Sequence, residues 1–195
     1  MWLIMKRYLV ILLSVLLVLL LFFNISIVIK NNSDASKRTS NTITEILRCI
    51  EDTKECLQNL IDNEDSSYQS NMMYVINGKF STLYHLCHAN RYIYSSACSD
   101  FEYIGATFIG SASTRYFVTT GIYEDFVITE NEYAYVKELI TLLDKVSENI
   151  TGSNTKDNLS VLNSNFEDMH EQLYDTENSP YRFIKNQPAN NEQQS

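Results

Sequence analysis

The longest apolar stretch of the chain lies close to its first residue. Residues 8–29 (YLVILLSVLLVLLLFFNISIVI) carry no charged side chain. About 20 apolar residues in helical conformation are enough to cross the hydrocarbon core of a bilayer. The stretch therefore predicts one transmembrane helix, which makes the membrane itself a binding partner of the chain through residues 8–29.

A cleaved signal peptide is the main alternative to an uncleaved anchor. Signal peptides have a shorter apolar region, of about 7–15 residues, followed closely by a small-residue cleavage site. Here the apolar region is longer, and the best candidate site, Ser33 to Ala35, lies beyond Lys30. A pilin-like helix is less favoured, because no acidic residue occurs early in the apolar stretch. The pattern favours the anchor and leaves cleavage open.

The positive charges next to the predicted span give its orientation. Lys6 and Arg7 precede it, which favours a cytoplasmic N-terminus for residues 1–7. Lys30, Lys37 and Arg38 follow it and weaken this bias. The short leading segment and the cysteines favour the same topology. We expect a single-pass protein of the cell membrane with its domain outside.

Helical periodicity dominates after the span. Residues 30–40 are small and polar, and predict either a juxtamembrane linker or a frayed extension of the anchor helix. Apolar residues then recur at spacings of three and four over residues 39–63, 68–94, 133–150 and 155–177, with a weaker pattern over 95–112. The sequence predicts an all-α fold: an N-terminal transmembrane helix followed by a small antiparallel bundle of four to five helices over residues 41–177.

Residues 116–129 do not follow this helical pattern. The segment YFVTTGIYEDFVIT is rich in β-branched and aromatic residues, so a short β-hairpin around Gly121 is an alternative there. The next helix has clear end signals, because Thr129 and Glu132 have the spacing of a capping box and Gly152 is placed to end it. The polar residues 178–195 are predicted to be a disordered tail.

Composition agrees with a helical and acidic domain. Both prolines, Pro180 and Pro188, lie near the C-terminus, and proline is costly inside helices. The whole chain has a net charge of −9, and the part after the span carries 13 basic against 24 acidic residues, a net charge of −11. Such a domain repels nucleic acid, so no nucleic-acid partner is expected.

Four cysteines, Cys49, Cys56, Cys87 and Cys98, form an even set, which is typical of disulfides outside the cytoplasm. Cys49 and Cys56 lie two helical turns apart and cannot bond to each other. In an antiparallel hairpin, facing positions have a constant index sum. The sums for Cys56 with Cys87 and Cys49 with Cys98 nearly agree, so we expect these two disulfides. The alternative is four buried thiols.

Metal and catalytic signals are weak. His85 and His88 share one side of a predicted helix, and His170 could join them if its helix were adjacent. No cofactor is predicted. Ser153 to Lys156 matches a Ser-x-x-Lys spacing, but the companion motifs of penicillin-recognising enzymes are missing. The sequence predicts no enzyme.

The sequence thus favours a membrane-anchored, extracytoplasmic helical module for protein or ligand interaction, with an accessory or sensor-like role and a protein partner. Its 13 tyrosines suit an interface or a pocket lining. The alternative is an extracytoplasmic metal- or redox-active protein that uses His85, His88 and the cysteines.

Overall fold

The computed structural model describes residues 2–110, 112–113, 118–119, 121–122, 128–150, 155–175 and 177–184. Within these residues the chain is mostly helical, which confirms the predicted all-α class. The helices are α1 (Trp2–Asp62), α2 (Ser66–His88), α3 (Ser95–Ala106), α4 (Glu130–Ser147) and α5 (Thr155–Tyr174). Two short strands, β1 (Ala112–Ser113) and β2 (Val118–Thr119), and a 3-10 helix (Pro180–Phe183) complete the described elements.

The chain divides into two compact units, Met1–Ser40 and Asn41–Ser195. The first unit belongs to α1, and residues 30–40 are part of the same continuous helix. They contain neither Gly nor Pro, so no residue type that breaks a helix is present.

The helix that contains the apolar stretch is long and apolar enough to cross a membrane. Its large apolar side chains from Leu16 to Ile29 are between 43 and 67 % exposed. The two polar side chains among them bond within the helix: Asn24 Nδ2 donates to the Leu20 carbonyl at 2.8 Å, and Ser26 Oγ donates to the Phe22 carbonyl at 2.9 Å. These bonds satisfy both polar side chains within the helix itself.

The second unit is a helical bundle that begins with a hairpin. Asp65 caps α2 by accepting a hydrogen bond from the Tyr68 amide at 2.8 Å. The residues of α1 from Asn41 onward run antiparallel to α2, and Lys79 Nζ lies 2.8 Å from Asp52 Oδ2. Lys54 ties α1 to α4, since its Nζ lies 2.6 Å from Asp144 Oδ1.

Helices α2 and α3 pack against each other very closely. A Cβ atom placed on Gly105 would lie only 2.9 Å from Phe80 Cβ, so glycine is required for this approach. Phe80 stacks on Phe101 and Phe108, with ring centroids 6.2 and 6.0 Å apart.

Helix α4 begins as predicted and ends earlier. The Thr129 side chain accepts from the Glu132 amide while Glu132 Oε2 accepts from the Thr129 amide, which is the predicted capping box. The helix ends at Ser147, and Gly152 lies outside the described residues. Asn165 of α5 donates to the Val146 and Glu148 carbonyls, both at 3.0 Å.

The prediction of a disordered tail is wrong for residues 178–184. Pro180–Phe183 forms a 3-10 helix whose amide at Tyr181 is capped by Ser179. Tyr181 is completely buried and Ile184 is 3 % exposed, although the surrounding residues are polar. The polar composition of residues 178–195 predicted disorder, and it concealed that Tyr181 and Ile184 are core residues. Residues 185–195 lie outside the described part of the chain.

The hairpin predicted over residues 116–129 is not confirmed. The two strands pair antiparallel, with Ala112 opposite Thr119 and Ser113 opposite Val118, and thus begin before the predicted segment. Residues 114–117, 120 and 123–127 lie outside the described part of the chain. Gly121 packs closely on Gly110 beside these two strands. A Cβ atom on Gly121 would lie 2.6 Å from the Gly110 carbonyl carbon.

Candidate functional site

The four cysteines lie on the three helices α1, α2 and α3. Cys49, Cys87 and Cys98 are buried and Cys56 is half-buried, and all four are free thiols. Neither of the predicted disulfides, Cys49–Cys98 and Cys56–Cys87, is present in the structure.

The register of the α1–α2 hairpin explains this difference. Its turn at residues 63–65 places Cys49 opposite Lys79, and Cys49 Sγ lies 3.6 Å from the Lys79 carbonyl oxygen. Cys56 is two helical turns nearer to the turn, whereas Cys87 is two turns farther from it than Lys79. The near agreement of the two index sums was a poor guide, because it ignored where the turn lies.

The structure brings Cys87 and Cys98 together instead. Cys87 is in the last turn of α2 and Cys98 is in the first turn of α3. The hydrogen bond between the two thiols is the strongest influence on both: it lowers the pKa of Cys98 to about 7, and it raises the pKa of Cys87, which burial raises further. One thiolate of this pair therefore forms much more easily than two.

The histidines predicted as weak metal candidates do not assemble into a site. His85 and His88 are both exposed and lie against the Tyr84 ring, at centroid distances of 4.9 and 5.6 Å. Cys87, between them in sequence, faces the core. Among the described residues, no three His, Cys, Asp or Glu side chains come together as a metal-binding group.

His170 has a different partner, which the sequence did not single out. Its Nδ1 lies 2.9 Å from Asp100 Oδ2. The Asp100 side chain is 1 % exposed and that of His170 is 34 % exposed. Burial raises the pKa of Asp100, while the hydrogen bond from His170 opposes that rise. Oδ1 of Asp100 is buried without a hydrogen-bond partner among the described residues.

Aromatic rings surround this pair. The His170 ring lies between Tyr94 and Tyr174, with centroids 6.0 and 4.8 Å away. Tyr181 contacts Tyr103 at 5.1 Å and Tyr135 at 6.1 Å. Tyr135 and Tyr181 belong to the core, whereas Tyr94, Tyr103 and Tyr174 are half-buried against it.

A groove between α1 and α2 forms a surface hollow in the described part of the bundle, with a volume of about 370 Å³. Its lining residues come from both helices: Glu45, Arg48, Cys49, Asp52, Val75, Gly78, Lys79, Thr82 and Leu86. Gly78 opens its floor, since a Cβ atom there would have no neighbour within 4 Å. Val75 on its rim is 46 % exposed.

The charges in the groove are paired with one another. Arg48 contacts Glu45 at 2.5 Å and Lys79 contacts Asp52 at 2.8 Å. The floor between these pairs is small and apolar. Such a hollow accepts the apolar side of a partner while the paired charges line its edge.

Comparison with protein families, with curated proteins and with solved structures gave no match for this chain.

Proposed function

We propose that the chain is a non-enzymatic, membrane-anchored helical module that binds a partner protein through the α1–α2 groove. The groove carries the proposal. It is open at Gly78, it has the exposed apolar side chain of Val75 on its rim, and it lies on the surface of the bundle. The occupant that fits best is an α-helix of the partner, because a groove between two helices accepts the side-chain ridge of a third.

The charge of the domain supports a partner with a basic surface. The chain after the apolar stretch carries a net charge of −11. Opposite charges speed diffusional encounter and orient the two surfaces. A helix with an apolar stripe and basic flanks therefore complements both the groove and the acidic domain around it.

We propose that the apolar helix anchors this module in a membrane. The exposed apolar side chains from Leu16 to Ile29 and the internal bonds of Asn24 and Ser26 support a bilayer environment for the helix. We infer the topology from Lys6 and Arg7: a single pass, residues 1–7 in the cytoplasm and the bundle outside. Protease added to right-side-out vesicles should then digest the bundle, and protease added to intact inside-out vesicles should leave it whole.

Site-specific photocrosslinking tests the groove. A photoreactive amino acid replaces Thr82, which lines the groove, or Thr141, which lies on the exposed surface of α4. In native membranes we expect a discrete adduct from position 82 and none from position 141. Its yield should fall as salt is raised, because salt screens attraction to a basic partner.

A second substitution separates specific binding from casual contact. Gly78→Leu fills the floor of the groove where space is open, and it also improves helix propensity, so the bundle keeps its fold. We expect it to reduce the adduct at position 82 several-fold, whereas Thr141→Leu leaves the yield unchanged. Equal adducts from positions 82 and 141, or an adduct that survives Gly78→Leu, would contradict the proposal.

A further inference from the structure

The contact between Cys87 and Cys98 follows from the packing of α2 on α3. These helices run antiparallel, and they approach closely where Gly105 meets Phe80, since a Cβ atom on Gly105 would lie 2.9 Å from Phe80 Cβ. Cys87 is seven residues after Phe80, and Cys98 is seven residues before Gly105. Seven residues are about two helical turns, so each cysteine lies on the same helix face as the residue at the close approach.

The seam that joins Phe80 to Gly105 therefore continues to the two cysteines. Both are almost fully buried, with 1 % of Cys87 and 6 % of Cys98 exposed. A disulfide needs Cβ atoms about 3.5–4.5 Å apart and Cα atoms within about 7 Å. Cys87 and Cys98 have the same antiparallel register as Phe80 and Gly105, so they face each other across this close seam.

The remaining cysteines are placed differently. Cys49 is directed at the Lys79 backbone, and Cys56 is half-buried two turns farther along α1. Burial raises the pKa of both thiols, which keeps them protonated. Both residues belong to α1, so neither lies on the α2–α3 seam.

We propose that Cys87 and Cys98 form a redox-active pair that closes to a disulfide by exchange with an external disulfide, such as oxidised glutathione or an oxidised protein dithiol. The Cys98 thiolate attacks one sulfur of the external disulfide, and the first thiolate leaves. Cys87 then loses its proton and attacks the Cys98 sulfur of the mixed disulfide, and the second thiolate leaves. The two protein thiols are oxidised to one disulfide, and the external disulfide is reduced to two thiols, which take up the two protons.

The low pKa of Cys98 supports its role as the attacking sulfur, because the thiolate is the nucleophile in this chemistry. Both sulfurs are buried, so the exchange requires a local opening of the connection between α2 and α3. We therefore expect closure over minutes to hours and not within seconds. The product links the last turn of α2 to the first turn of α3.

Peptide mapping of the full chain in detergent tests the pair directly. After trypsin, which cuts after Lys and Arg, each cysteine falls in its own peptide: residues 49–54, 55–79, 80–91 and 92–115. The protein is equilibrated with oxidised glutathione, quenched with acid, alkylated in denaturant and digested without reductant. We expect the loss of two of the four free thiols and one linked product, between peptides 80–91 and 92–115. Reduced glutathione should restore all four thiols.

Serine variants make the result specific. Cys98→Ser and Cys87→Ser should each abolish the linked product, whereas the double variant Cys49→Ser, Cys56→Ser should retain it. Circular dichroism confirms that each variant is folded. Four free thiols in a folded, oxidised sample, or a link that involves peptide 49–54 or 55–79, would overturn the proposal.

Discussion

His170 Nδ1 lies 2.9 Å from Asp100 Oδ2, and this contact joins a half-exposed imidazole on α5 to a fully buried carboxyl group on α3. A charge taken out of water is stable only when partners replace its hydration. His170 contacts Oδ2 of Asp100 and the Tyr174 hydroxyl helps to stabilise the carboxylate, while Oδ1 has no hydrogen-bond partner among the described residues. We therefore expect the contact between Asp100 and His170 to contribute to the stability of the bundle.

Removing the imidazole should destabilise the bundle more than removing the carboxylate. His170→Gln leaves a buried carboxylate without its partner and should cost about 1–3 kcal/mol. Asp100→Asn removes the charge itself, and the double variant should recover part of the loss from His170→Gln. Denaturant titrations of the four proteins give the coupling energy, which we expect at about 0.5–3 kcal/mol. Strictly additive effects would mean that the contact contributes nothing.

The pH dependence of Asp100 has a definite sign. Burial raises its folded-state pKa above 3.8, so the folded protein keeps a proton that the unfolded chain has released. The resulting stabilisation is fully present below pH 3.8 and is lost as the pH rises through the folded-state pKa. We expect the stability of the wild type relative to Asp100→Asn to fall over that interval and then to level off.

Asp175 serves as a control, because its pKa is shifted in the direction opposite to that of Asp100. Hydrogen bonds from the Glu177 and Asn178 amides and the Asn178 side chain lower its pKa, so its contribution is lost as the pH falls. Thermal unfolding of Asp100→Asn and Asp175→Asn at a series of pH values should therefore give difference curves of opposite slope. Parallel curves would show that burial of Asp100 does not govern its titration.

The α2–α3 seam predicts a contrast between two glycines. Gly105→Ala places a Cβ atom 2.9 Å from Phe80 Cβ and should destabilise the bundle by about 1–3 kcal/mol. Gly78→Ala has open space and should stabilise α2 by about 0.5–1 kcal/mol, because alanine favours the helix. Urea denaturation monitored by circular dichroism measures both. A neutral Gly105→Ala would mean that the two helices are farther apart than described.

The capping box of α4 can be tested with two Thr→Ala changes in one segment of the chain. Thr129→Ala removes the acceptor for the Glu132 amide and should cost about 0.5–2 kcal/mol. Thr141→Ala, in the middle of the same helix, removes only a bond to the Lys137 carbonyl and should be neutral or slightly stabilising. Thermal midpoints that shift equally would argue against the cap.

The segment after α5 should behave as part of the core. Tyr181→Ala empties a fully buried site and should cost about 3–5 kcal/mol, a value known for large aromatic truncations. Phe183→Ala, two residues away and only partly buried, should cost distinctly less. Denaturant midpoints rank the two. If Tyr181→Ala were harmless, the tail would be dispensable, as its polarity suggested.

The sequence predicted those features that depend on local pattern. The apolar stretch, the amphipathic helices and the Thr129 capping box all follow from spacing within a few residues. It failed where distant residues decide the outcome. The cysteine contacts depend on where the α1–α2 turn lies and on the closeness of α3 at Gly105. The sequence did not predict the burial of Asp100, because a single charged residue in a helix is usually exposed. Its burial depends on the packing of α5 against α3.

The burial of Tyr181 also constrains how the protein is made. Its contacts with Tyr103 and Tyr135 join parts of the chain that leave the ribosome at different times. While residue 181 is still in the exit tunnel, the α3 and α4 surfaces that it covers stay uncovered. The bundle therefore closes late in synthesis, and a ribosome stalled before that residue would present an apolar surface to chaperones.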